Sequence, residues 1–144
     1  MKINDLKKHI YSPYSDNKED WCVVAGKSGT LYPGVRVENI SFPLTITALH
    51  GAICSCLGNG DKPEAYYGES DDGELQSYWL DQYQLRRLTD SPDPGSLYNP
   101  YIEETGSADK LLTELADHAV IPHSDFPVSA LLYTDRGIVT GCKY

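Results

Sequence analysis

His50, Cys54 and Cys56 have the spacing closest to a metal site in this chain. On a helix, His50 and Cys54 stand one turn apart on a single face, which is how a zinc site can begin, but a four-coordinate site needs a third and a fourth ligand. Gly51 and Ala52 beside them fit close helix packing, so a buried cysteine and a hydrogen-bonded histidine are the expected outcome. Ser15, Ser124 and His123 supply hydroxyls and a base, without the third group that a nucleophile system requires. The acids Asp71, Asp72 and Glu74 lack the graded spacing of a calcium loop. Tyr78, Trp79 and Tyr83 offer ring faces on which a base could stack, but at helical spacing they read as core and interface. Glu38, just before Asn39, either contacts a ligand or orients the next helix. No catalytic residue and no metal site is assigned.

These residues must be held by a series of short elements. Ile3 to Ile10 reads as a short helix ended by Pro13, and Trp21–Ala25 and Leu31–Val37 as the strands of a hairpin whose turn uses Gly29. Pro33 and Gly34 mark the second strand as an edge or a bulge. A central helix is expected over Ser41–Leu57, with Pro43 in its first turn and Ile46, Leu49, Ile53 and Leu57 as its buried face. Its β-branched run Thr45, Ile46, Thr47 weakens its propensity, so packing must hold it. A short strand at Ala65–Tyr67, a helix over Leu75–Leu88 and a loop over Thr89–Tyr98 follow. Ala108–Ala119 is an amphipathic helix capped by Ser107, and Val128–Tyr133 and Ile138–Cys142 form a second hairpin turned by Asp135, Arg136 and Gly137.

The two hairpin regions repeat one another. Pro13, Ser15 and Asp16 match Pro122, Ser124 and Asp125, and Gly29 and Gly34 match Gly137 and Gly141 with one residue inserted. Val37 would pair with Tyr144, the last residue given. A repeated supersecondary unit that stops inside its own pattern predicts a longer parent or a cut boundary. The expected division is a first unit over residues 1–106 and, over 107–144, either the start of a second unit or the completion of the first sheet.

Composition narrows the function. Apolar residues at 40% and charged residues at 23% describe a globular chain of one ordinary domain's length. A net charge of −9, with six acids between Asp61 and Glu74, opposes a nucleic-acid polymer as partner. No run is long enough to span a membrane, the start lacks the apolar segment of a secretory signal, and four scattered cysteines do not form an extracellular framework; a reduced, cytoplasmic setting is expected.

The Pro13-Tyr14-Ser15 segment, followed by Gly34-Val35-Arg36-Val37-Glu38-Asn39 and by Ile40 to Thr45, resembles the start of a cytidine deaminase domain. Pro122, Ser124, Phe126, Val128, Gly141 and Cys142 are similar to the same start in the second copy. The resemblance covers about 30 residues at one end and 24 at the other. It implies a three-layer α/β fold with a mixed sheet flanked by helices, and it implies family positions. Glu38 stands at a ribose-contact position, Arg36 where an Asn usually assists it, Thr47 at the first zinc ligand and Leu49 at the proton-carrying Glu. Active members hold zinc with a further Pro-Cys-x-x-Cys segment, and zinc-bound water attacks the base. This sequence has no such segment, neutral Thr is not a normal zinc ligand, and Leu carries no proton.

The expected function is therefore that of a non-catalytic cytidine-deaminase-like domain, without a cofactor, acting as a structural or regulatory partner of an active deaminase domain in a longer parent. Homo-oligomeric or tandem assembly is implied by the resemblance. Two alternatives stand beside it: a fragment of an active zinc-dependent deaminase that hydrolyses cytidine or deoxycytidine to the uridine product, and a nucleoside-binding module resting on Glu38 and the aromatics.

Overall fold

The computed structural model describes residues 2–70, 74–103 and 106–143. Asp71, Asp72 and Tyr144, which figured in the acidic cluster and the repeat, lie outside the described residues. The chain divides into two compact units, one of Met1–Cys56 with Asp61–Tyr98 and one of Leu57–Gly60 with Asn99–Tyr144.

The first unit is built on a four-stranded sheet. Its strands are β1 (Trp21–Gly26), β2 (Leu31–Val35), β3 (Pro63–Glu69) and β4 (Arg86–Arg87), in the order β2-β1-β3-β4. The β2-β1 and β1-β3 pairs are antiparallel and the β3-β4 pair is parallel, so the sheet is mixed. The uncharged run of β1 suits a central strand with both faces covered. Pro33, which has no N–H to give a neighbour, lies in β2 at the edge, as its type requires.

One face of the sheet meets the opening 3-10 helix Ile3–His9, where Ile3 and Leu6 pack with Trp21, Val23 and Leu31. The other face is covered by α1 (Ala48–Gly58), which buries Leu49, Ala52, Ile53 and Cys56. Gly34 permits the approach. A Cβ there would run into the Ala48 carbonyl oxygen and stand 2.8 Å from Ala52 N. Helix α2 (Glu74–Tyr83) follows β3 and joins α1 through the stacked rings of Trp79 and His50.

Three expectations are corrected. The central helix does not run from Ser41 or Pro43: a 3-10 turn at Phe42–Leu44 comes first, and α1 begins only at Ala48. Ile46 is 46% exposed rather than part of the buried face. The reason is local, because Val37 and Ile46 exchange both backbone hydrogen bonds, at 2.9 and 3.0 Å, which holds Ile46 extended. The Leu75–Leu88 helix ends at Tyr83, with Gln84 at φ 51°, and Arg87 belongs to β4.

The second unit holds α3 (Ala108–Ala116), with Ser107 Oγ accepting from Lys110 N at 3.3 Å, and a hairpin of β5 (Ser129–Thr134) and β6 (Gly137–Cys142). These two strands form a two-stranded sheet. Ser129 Oγ donates to Leu112 O at 2.7 Å, so α3 lies on the hairpin face of Ser129, Leu131 and the buried Ile138.

Candidate functional site

The register of the first hairpin builds a buried ionic cluster. Trp21 pairs with Val35, so the next residues outward, Asp20 and Arg36, come together, and Arg36 N donates to Asp20 O at 3.0 Å. Arg36 Nη1 stands 3.8 Å from Asp20 Oδ2, and Arg36 Nε donates to Glu38 Oε1 at 2.9 Å. Glu38 Oε1 also accepts from Ser15 Oγ, and Oε2 accepts from Tyr14 N at 2.7 Å. Asp20 is fully buried, and Arg36 and Glu38 are 7% and 6% exposed. The cluster thus ties together the Ser12–Asn17 turn, the end of β2 and the start of α1, whose first amide, Ala48 N, donates to Asp20 Oδ2 at 3.2 Å. Desolvation pushes the Glu38 carboxyl up, but the donors Ser15, Arg36 and Tyr14 N outweigh it and hold the group below the ordinary carboxylate range.

Glu38 and Arg36 are thus brought into direct contact. Thr47 precedes the first turn of α1, and its carbonyl accepts from Gly51 N at 2.9 Å. Leu49 is fully buried in that turn. Asp20 was not singled out from sequence. The available signal was its place one residue outside the strand run, in register with a cation on the partner strand.

The other candidates take bland roles. The His50 ring stacks on Trp79 with centroids 5.4 Å apart, and Trp79 stacks in turn with Tyr83 at 6.2 Å. Burial pulls the His50 pKa below 6.5, keeping the imidazole neutral. Burial pushes the Cys56 thiol up to about 12. Among the described residues no group of three or more His, Cys, Asp or Glu side chains could hold a metal ion. No helix among the described residues is long and apolar enough to cross a membrane.

No protein-family model matches the chain. Over 65 residues it is 32% identical to a cytidine deaminase of Mycoplasma genitalium, a match covering 45% of this chain and 48% of that protein. The chain therefore spans about half the length of this relative. Its fold matches the crystal structure of a cytidine deaminase from Mycobacterium tuberculosis with a TM-score of 0.52 and 21% identity, over 63% of this chain and 80% of that one. The chain has a cytidine-deaminase-like fold. Its similarity in sequence to that group is distant.

The zinc implied by the resemblance does not fit the residues present. Thr47 brings a neutral hydroxyl and Leu49 a buried alkyl group to the two family positions at the start of α1. His50 and the nearby cysteines supply no replacement set, because among the described residues no three His, Cys, Asp or Glu side chains come together.

Proposed function

We propose that this chain is a non-catalytic cytidine-deaminase-like domain that serves as a structural or regulatory partner of an active deaminase domain in a longer protein. Residues 1–106 form its degenerate unit, and 107–144 begin a second. The observation that carries this reading is the buried Leu49 in the first turn of α1, where the resemblance places the proton-carrying acid. A leucine cannot give or take a proton, and general acid–base work needs a group that does both. Arg36 adds to the reading. It draws Glu38 into a buried ion pair, and Ser15 and Tyr14 N take up the remaining carboxylate positions. Glu38 in this reading orients the hairpin rather than holding a ribose.

The test is incubation of the purified chain with cytidine and with deoxycytidine, together with metal analysis of protein prepared without chelator. No uridine product above a mock-purified control and no stoichiometric zinc are expected. Product that disappears on Glu38→Ala, or one tightly held zinc per chain, would overturn the reading.

The similarity to the Mycoplasma enzyme favours a second reading, in which the chain is a fragment of an active, zinc-dependent cytidine or deoxycytidine deaminase. Glu-Asn, Cys-Ala-Glu and Pro-Cys-x-x-Cys following residue 144 in the parent would support it, and their absence would remove it.

A further inference from the structure

Trp21 is 4% exposed and packs with Ile3, Leu6, Val23 and Leu31, yet its indole N–H has no hydrogen-bond partner among the described residues. A buried donor left unpaired is costly and calls for an acceptor. Trp21 also lines a cavity of about 450 Å³ in the first unit, with Tyr67, Glu69, Arg87 and Leu88. Strand register gathers these residues at one end of the four-stranded sheet. Trp21 opens β1 and faces Glu69 at the close of β3, and Arg87 closes β4. Tyr67 meets Trp21 edge to face, with ring centroids 6.0 Å apart. Between Tyr67 and Glu69 the wall is bare backbone. Gly68 has φ 134°, and a Cβ there would stand 2.6 Å from Trp21 O.

Charge selects the ligand. Glu69 and Arg87 are both exposed, and among the described residues neither has an ion-pair partner, the other included. Lys7, with Nζ 5.7 Å from the Trp21 ring centre, is already bound to Glu19 at 2.9 Å. The cavity therefore presents one carboxylate and one guanidinium beside two aromatic rings and Leu88. Glu69 repels a simple anion, and Arg87 repels a simple cation. A zwitterion satisfies both. We propose that this cavity binds a free α-amino acid with a neutral, apolar side chain. The Arg87 fork holds its carboxylate, with the Trp21 N–H as a further donor. Glu69 accepts from its ammonium group, and its side chain lies against Trp21, Tyr67 and Leu88. The cavity shares no residue with the Asp20–Arg36–Glu38 cluster, nor with Thr47 or Leu49, so it is a separate site.

The test titrates the full chain, ¹⁵N-labelled, with L-phenylalanine, with N-acetyl-L-phenylalanine, which lacks the ammonium, and with L-phenylalaninamide, which lacks the carboxylate. Saturable shifts of the Trp21 indole N–H and of the Gly68 and Thr89 amides are expected with L-phenylalanine, at a dissociation constant of about 1 mM or tighter. The indole signal that persists in Trp79→Phe is that of Trp21. Each truncated ligand should bind at least about tenfold more weakly, the effect of losing one charge-assisted hydrogen bond. Glu69→Gln should abolish the preference over the N-acetyl form and keep the preference over the amide, and Arg87→Gln should do the reverse. Unchanged α1 amide resonances would show that both variants are folded. Failure to saturate, equal affinity for either truncated form, or the same response in both variants would overturn the proposal. So would saturation of these signals by cytidine in preference to L-phenylalanine, which would give the cavity to a nucleoside. Zinc content and uridine formation do not enter these readings, so the proposed function stands or falls separately.

Discussion

Arg36 lies between two buried carboxylates, Asp20 and Glu38, and is their cationic partner in this cluster. Removing one member of a buried ionic group strands the others, at a cost of about 3–5 kcal/mol. Arg36→Asn, which restores the residue usual in the resembled family, should therefore destabilise the chain by about that amount in a urea titration. A change within about 0.5 kcal/mol would show that the cluster holds little of the fold. The same cluster sets an acid limit. The folded-state pKa of Glu38 is depressed, so its contribution is complete above 4.5 and is lost as pH falls toward the folded value. Stability measured from pH 6 downward should fall less steeply below 4.5 in Glu38→Gln than in the parent. His50 sets a second window. Its folded-state pKa is also depressed, so the neutral ring stacked on Trp79 contributes fully above 6.5, and the contribution is lost as pH falls below that. In His50→Gln the part of the stability loss that begins just below pH 6.5 should be absent. An unchanged profile would mean that His50 titrates alike in the folded and unfolded chain.

Gly34 and Gly141 turn one sequence pattern into two different element contacts. Gly34→Ala places a methyl group against the Ala48 carbonyl and Ala52, and overpacking of this kind costs about 1–3 kcal/mol, with more if α1 cannot shift. Gly141→Ala meets open space and should be neutral or stabilising by up to about 1 kcal/mol, since glycine weakens a strand interior. Thermal melts of the two variants decide this, and equal losses would refute the contrast. The hairpins and α3 were legible because their signals are local: short apolar runs, turn glycines and a serine cap. Glu38 and Arg36 were legible as positions, but Asp20 was not, because it joins them through strand register rather than through a local pattern. The start of α1 was misread for a related reason. Helical spacing from Ile46 onward is real, yet the Val37–Ile46 bridge removes Ile46 from the helix, and no window along the chain reports a pairing nine residues away. The two-residue β4 was hidden in the Leu75–Leu88 pattern, since its parallel pairing to Ala65 and Tyr66 is a tertiary event.

At the scale of the whole molecule, the two units differ in how completely their sheets are used. In the first, β1 is hydrogen-bonded on both edges and covered on both faces, and Cys22, Val23 and Val24 are buried to within 1%. In the second, β5 pairs only with β6 in its sheet, and one face stays open. Local opening is governed by such differences, because an amide in a strand that loses little apolar contact on opening exchanges long before the chain unfolds globally. Native-state hydrogen exchange should therefore show two levels. Amides of β1, of the β3 residues paired with it, and of the buried turns of α1 should exchange only through global unfolding, with rates that follow the denaturant dependence of the whole chain. Amides of β5 and β6 should exchange at least tenfold faster and with weak denaturant dependence. If β5 and β6 amides are as protected as those of β1, the exposed face of the second hairpin costs it no local stability, and the two-level expectation fails.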